Sequence, residues 1–204
     1  MPDPTSQTPR TPRLMVAISG GGTTLLNLQD RIDAGQLDAS IVHVIASNPK
    51  AYETIRQTQR FAALGLYRSK YDNKAAYSKA FFAFCRDCHA DLVVLAGFLS
   101  LLVIPDDFQG RVLNIHPSLL PKFGGKGMHG RHVHQAVIDA GETTSGCTVH
   151  LADNTYDTGP TLLQKTCPVH PGDTPDTLAK RVFALECQAY PQAITEHWEA
   201  LTQP

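Results

Sequence analysis

Leu14-Met-Val-Ala-Ile18 runs directly into Ser19-Gly-Gly-Gly-Thr-Thr24, after which Leu25, Leu28 and Ile32 recur at helical spacing up to Gly35. A short, continuous apolar run reads as a strand buried on both faces, and a period of three to four behind it reads as a helix packed on that strand. Strand, glycine turn and helix together open a parallel α/β sheet. The pattern then repeats. Ile41-Val-His-Val-Ile-Ala46 is a second strand, Tyr52 to Leu64 a helix ended at Gly65, and Leu66-Tyr67 the start of a short third strand. Asp72 is placed to cap a helix running to about Cys88, with Ala80, Phe81, Phe84 and Cys88 as its apolar face.

Two more central strands follow at Leu92–Ala96 and Val112–Ile115, then a helix at Val133–Ala140 closed by Gly141. Cys147–Leu151 and Thr161–Lys165 are strands separated by a polar turn, and Gly172-Asp-Thr-Pro175 introduces a long helix to Trp198. The expected class is α/β: a Rossmann-like, mostly parallel sheet flanked by helices, with a mixed or antiparallel C-terminal part. Residues 1–13, MPDPTSQTPRTPR, hold four prolines and are expected to form a disordered tail. Residues 14–204 are expected to form a single domain.

Composition excludes more than it suggests. The 204 residues carry 18 Lys+Arg against 19 Asp+Glu, a formal net charge of −1, so no broad basic face for nucleic acid is expected. No apolar run approaches the roughly 20 residues that span a bilayer. Five cysteines without regular spacing do not suggest a disulfide framework, and the expected location is cytoplasmic. Cys85-Arg-Asp-Cys88-His89 fits the haem-attachment pattern, but beside a strand and without an export signal it reads as semi-buried thiols at a helix end.

Chemistry concentrates in two places. The Ser19–Thr24 loop stands between a first strand and a first helix, where backbone N–H groups and the helix dipole hold anions. No Walker-type lysine follows, so a monophosphate fits better than a triphosphate. Asn114-Ile-His116-Pro117 ends a central strand, the edge at which open α/β sheets bind ligands. If the strand continues to His116, the amide and the imidazole share one face. An amide that steadies an oxyanion and an imidazole that moves a proton serve acyl transfer. Asp157, in the polar turn Asp153–Gly159, is the carboxylate best placed to orient the imidazole and favour its charged form. His129, His132 and His134 lack a Cys or nearby carboxylate to complete a tetrahedral set. They read as solvent-facing or ligand-loop residues, no metal is expected, and His150 reads as a strand residue near the pocket.

Leu113-Asn-Ile-His-Pro-Ser-Leu-Leu-Pro121 resembles the signature of the folate-dependent formyltransferases. The glycine loop, Ala96-Gly-Phe98, Gly146-Cys-Thr-Val-His150, Tyr156-Asp-Thr-Gly-Pro160 and Arg181-Val-Phe-Ala-Leu-Glu186 narrow the resemblance to the phosphoribosylglycinamide formyltransferases of purine synthesis. The resemblance spans Leu14 to Trp198. It implies formyl transfer from 10-formyltetrahydrofolate, as co-substrate, to the amine of a phosphoribosylglycinamide, without metal.

By position it makes Asn114, His116 and Asp157 the catalytic trio, and Gly22, Thr23, Thr24 and Glu186 the ribosyl-substrate contacts. The folate contacts it implies are Lys74, Leu99, Ser100, Leu101, Leu102, Asn114, Asp153, Asn154, Thr155, Tyr156 and Asp157. The partners implied are these small molecules, with no nucleic acid or membrane, and the protein is expected to be a monomer or homodimer. Three departures stand out: Thr23-Thr24 where Ser-Asn is common, Ser100 where arginine is common, and a longer, more basic loop Phe123-Gly-Gly-Lys-Gly-Met128. The last puts Lys126 in position to meet phosphate or the folate glutamate.

Three rivals share parts of this pattern. Methionyl-tRNA formyltransferase carries an extra carboxyl-terminal domain, whereas this chain ends six residues after Trp198. Formyltetrahydrofolate hydrolase normally carries an amino-terminal regulatory domain and a different residue where Pro117 stands. A non-catalytic nucleotide- or folate-binding module would keep the pocket, but it has no need of Asn114, His116 and Asp157 together.

Overall fold

The computed structural model describes residues 10–203. Seven strands form one sheet: β1 (Arg13–Ile18), β2 (Ser40–Ala46), β3 (Ala63–Gly65), β4 (Leu92–Leu95), β5 (Val112–His116), β6 (Thr144–Leu151) and β7 (Thr161–Pro168). Their spatial order is β3-β2-β1-β4-β5-β6-β7. The first five are parallel, while β6 runs antiparallel to β5 and β7 to β6, as expected of the C-terminal part. Five helices flank them: α1 (Thr23–Asp33), α2 (Pro49–Thr58), α3 (Lys74–Asp87), α4 (Arg131–Asp139) and α5 (Pro175–Thr202). The chain leaves β1 towards β2 and β3, then returns to lay β4 on the other side of β1, so the order reverses there. That reversal opens a crevice at the strands' carboxyl ends.

Strand alternation splits the core into two layers. Leu14, Val16 and Ile18 of β1, with Leu92 and Val94 of β4, pack beside Leu25, Leu28, Val182 and Ile194. Met15 and Ala17, with Val93 and Leu95, face Tyr77, Phe81 and Phe82 of α3. Helix α5 begins in a reciprocal cap, Thr174 with Thr177, and carries Pro191 inside it. Proline cannot donate to the carbonyl four residues earlier. The Asn27 side-chain amide of α1 donates to that Cys187 carbonyl instead, at 3.3 Å. The neighbouring Tyr190 hydroxyl, fully buried, lies 3.0 Å from Leu95 O and 2.9 Å from Leu113 O and ties α5 under β4 and β5.

Several local expectations are corrected. Helix α2 ends at Thr58 because Gln59 turns left-handed at φ 54, and Ala63–Gly65 joins the sheet beside β2, where the sequence suggested helix. The cap of α3 is Asn73, whose side chain accepts from Ala76 N at 2.9 Å, not Asp72. Its buried face is Tyr77, Ser78, Phe81, Phe82 and Cys85, one position away from the expected one. Of the expected tail, residues 1–9 lie outside the described residues. Arg10–Arg13 are tied down: Arg13 opens β1 and donates to His89 O and Cys88 O at 2.9 Å each, and Arg10 O accepts from Trp198 Nε1 at 2.8 Å. No helix among the described residues is long and apolar enough to cross a membrane.

Candidate active site

Strand β5 continues to His116, so Asn114 and His116 do share a face. Antiparallel pairing with β6 sets His150 directly opposite Asn114 and Thr148 opposite His116. The Asn114 amide donates to His150 Nε2 at 2.9 Å, while His150 Nδ1–H donates to Leu151 O at 3.0 Å. Those two contacts fix the orientation of the His150 ring between the Asn114 amide and the Leu151 carbonyl.

Asp157 completes the cluster from the turn between β6 and β7. Its backbone is left-handed at φ 57, a conformation Asp tolerates better than most residues. One carboxylate oxygen lies 3.5 Å from His116 Nδ1 and accepts from Gly125 N at 2.8 Å. The other lies 3.5 Å from Asn114 Nδ2 and 3.6 Å from His150 Nε2. Burial works to raise the Asp157 pKa, but contact with His150, the His116 charge and the Gly125 N–H outweigh it and hold the carboxyl below its ordinary range.

His116 is almost fully buried, and its Nε2–H donates to Phe123 O at 2.8 Å. Burial is the largest influence and lowers its pKa, against the opposing pull of Asp157 and the Phe123 carbonyl. The sequence suggested an imidazole held in its charged form. Desolvation works against the charged form more strongly than the Asp157 carboxylate works for it.

A cavity of about 640 Å³ opens over these groups. Its lining joins Asn114, His116 and Asp157 to Ser19, Gly20 and Thr24 of the glycine loop, to Gly125–Gly130, and to Phe183 and Glu186 of α5. Of the expected phosphate contacts, Thr24 faces the cavity, while Thr23 is exposed at the start of α1. Gly22 is buried beneath the loop at φ 77, where a Cβ would come 2.7 Å from Ile55 Cδ1. Ser19 is fully engaged: its N–H donates to Gly97 O at 3.1 Å, its carbonyl accepts from Asn48 Nδ2 at 2.9 Å, and its hydroxyl accepts from Leu99 N at 2.9 Å. Its role is to fix the loop, which leaves the amides at the start of α1 to meet an anion. Burial pushes the Glu186 carboxyl up to about 7.

A second cavity of about 60 Å³ adjoins the first and shares Phe98, Asn114, Tyr156 and Asp157 with it. Ser100, Leu101, Leu102, Asp153 and Thr155, five of the residues expected to meet folate, line it. Leu99 lines the larger cavity instead. Asn154 is spent on structure, accepting from Ile104 N at 2.8 Å, and Lys74 at the start of α3 lines neither cavity. Sequence reading missed the Phe123 carbonyl and the Gly125 amide, which as backbone groups leave no residue signature. It also read His134 as a solvent-facing or ligand-loop residue, and not as part of a buried helix face. The ring is buried on α4 and lines the larger cavity, with no hydrogen-bond partner for Nδ1 among the described residues.

Comparison with known proteins places this geometry. Residues 12–194 match the family model described as formyl transferase. The chain is 36% identical to the bovine trifunctional purine biosynthetic protein adenosine-3 over 91% of its own length, and spans 18% of that protein. It is 33% identical to phosphoribosylglycinamide formyltransferase of Haemophilus influenzae, covering 89% of this chain and 85% of that one. Among solved structures, glycinamide ribonucleotide transformylase 1 of Symbiobacterium toebii superposes with a TM-score of 0.85 at 34% identity, over 93% of this chain and 89% of that one. With a bacterial relative matched over most of both chains and the same fold, the chain belongs to the formyl transferase family, in its phosphoribosylglycinamide formyltransferase branch.

Proposed function

We propose that this protein transfers a formyl group from 10-formyltetrahydrofolate to the amine of 5-phosphoribosylglycinamide, the step its relatives serve in purine biosynthesis. The observation that supports this best is the meeting of Asn114, His116 and Asp157 in one cavity that also opens on the glycine loop. The ribosyl phosphate lies at Ser19–Thr24, the ribose beside Glu186 and the glycinamide amine near Asn114 and His116. The formyl group enters from the smaller cavity. At about 60 Å³ that cavity is well below the ~300 Å³ of ordinary ligand sites, so the 100–102 and 153–156 segments separate on binding.

The neutral amine attacks the formyl carbon, a C–N bond forms, and the carbonyl electron pair moves onto oxygen. Asn114 Nδ2 carries two protons: one goes to His150, and the other, which makes only a long 3.5 Å contact with Asp157, is the one that oxyanion takes over. His116 Nε2–H exchanges the Phe123 carbonyl for the oxyanion, a stronger acceptor. The new negative charge and Asp157 together favour the imidazolium. Collapse breaks the bond to the folate nitrogen, which takes the proton released by the amine. All five cysteines are free, none lines either cavity, and burial pushes the Cys147 thiol up to about 12, so a thiolate acyl-enzyme has no candidate here. Free thiols also suit a reducing, cytoplasmic setting.

The test is to incubate purified protein with glycinamide ribonucleotide and 10-formyltetrahydrofolate and follow the appearance of deformylated folate. The expected result is folate release that depends on the ribonucleotide and matches formylated product mole for mole. Release at the same rate without ribonucleotide would instead make the protein a hydrolase.

A further inference from the structure

We infer that Lys126 is the cationic partner of the substrate phosphate, held over the ribonucleotide half of the cavity by the 125–130 loop. The inference rests on the formyl-transfer reading for the identity of the substrate. Among the described residues lining the larger cavity, Lys126 is the only lysine or arginine, and two carboxylates, Asp157 and Glu186, line it as well. A phosphate monoester entering that wall adds up to two negative charges and needs a counter-charge. The cations that flank this loop in sequence are paired elsewhere: Lys122 with Glu142 at 2.7 Å and Arg131 with Asp176 at 3.6 Å.

The loop fixes the backbone at Lys126, whose side chain is exposed. Met128 N donates to Gly125 O at 3.1 Å, closing a four-residue turn with Lys126 at its second position. Gly127 at the third position has φ 87, which a type II turn requires. The residue before Lys126 donates its backbone N–H to Asp157 at 2.8 Å. A phosphate drawn to Lys126 therefore bears on the same anchor that orients His116. Lys126 shares its cavity with Ser19, Gly20 and Thr24 and is absent from the smaller cavity lined by Ser100–Leu102, so the phosphate is favoured over the folate glutamate.

The test compares the full-length protein with Lys126→Ala and Lys126→Arg in two assays. Calorimetric titration with ribose 5-phosphate needs no formyl chemistry. Steady-state turnover is measured with the ribonucleotide, with its dephosphorylated riboside, and with mono- and polyglutamylated formyl-folate. Lys126→Ala is expected to weaken ribose 5-phosphate about ten- to hundredfold and to raise KM for the ribonucleotide by a similar factor. KM for folate stays level, the riboside does not distinguish the two proteins, and Lys126→Arg recovers most of the loss. Equal ribose 5-phosphate affinity in wild type and Lys126→Ala overturns the inference. A loss that instead appears in the folate KM, and grows with glutamate number, also overturns it and assigns Lys126 to the folate tail. Lys126-dependent ribose 5-phosphate binding without any formyl transfer leaves the inference standing and removes the formyl-transfer reading.

Discussion

The two ends of the cavity are made of different material. At the glycine loop the groups proposed to meet the phosphate are backbone amides at the start of α1, and Gly22, which turns the loop at φ 77, carries no side chain. At the β5–β6 seam the candidate groups are side chains, Asn114, His116, His150 and Asp157, aligned by antiparallel register and by one another. On the proposed function, the loop after the first parallel strand supplies a shaped electrostatic surface, and the seam where parallel β5 meets antiparallel β6 supplies proton chemistry. Backbone-built sites tolerate changes of side chain but not of backbone shape. Sites built from side chains behave the opposite way.

The largest effect is expected at the seam. Asn114→Ala removes a donor aimed at developing charge and should lower kcat about 10²–10³-fold. The fold should survive, because Asn114 is only partly buried. A kcat within threefold of wild type, with an unchanged circular dichroism spectrum, would remove Asn114 from the chemistry. Asp157→Asn should cost about 10² in turnover and carries a directional signature. The Asp157 carboxylate opposes the burial that lowers the His116 pKa, so its loss should move the His116 titration to still lower pH. Imidazole NMR across pH 4–8 measures this, and an upward or absent movement contradicts the pairing.

Glu186 belongs to the side-chain class but sits at the ribosyl end, and its effect is on stability. Its folded pKa, about 7, lies above an unfolded value near 4.5. Between those values the folded state binds more protons than the unfolded state, so stability falls as pH rises through that window. The cost is complete above about pH 7 and amounts to as much as ~3 kcal/mol, less whatever water in the cavity screens. Glu186→Gln should therefore be near neutral in urea unfolding at pH 4 and stabilising at pH 8. A variant equally stable relative to wild type at both pH values would show that the carboxyl is not desolvated.

Legibility in the sequence follows the same division. Continuous apolar runs and 3.6-residue periods are local, so β1, β2, β4, β5 and the long α5 could be read within a residue or a few of their observed bounds. The three-residue β3 exists only because β2 offers it a ladder, with Ala63 opposite Val44, and nothing within residues 59–65 announces that. Asn73 and Asp72 are adjacent and chemically similar caps, and the register of the whole helix chose between them. At the site, Asn114, His116 and Asp157 were legible as a pattern, but their anchors were not. Phe123 O and Gly125 N are main-chain groups that any residue would provide. His134 points inward because α4 begins at Arg131, which turns Val133, His134 and Val137 onto its buried face.

The smallest effect in free energy tests the backbone-built end most sharply. Gly22 has φ 77 and sits where an added Cβ would stand 2.7 Å from Ile55 Cδ1. Gly22→Ala must therefore strain the backbone or push on a fully buried isoleucine of α2. The strain should cost about 1–3 kcal/mol of stability, and by tilting the first amides of α1 it should raise the ribonucleotide KM while leaving the folate KM alone. Thr23, one residue along the chain, is exposed, so Thr23→Ala should change stability by no more than about 0.5 kcal/mol and leave the ribonucleotide KM within a few-fold. Chemical denaturation and substrate titrations of the pair set a buried residue with no side chain against an exposed one that has a hydroxyl. If Thr23→Ala raises the ribonucleotide KM more than Gly22→Ala does, the phosphate is held by hydroxyls, and the contrast between a backbone-built end and a side-chain-built end fails at this loop.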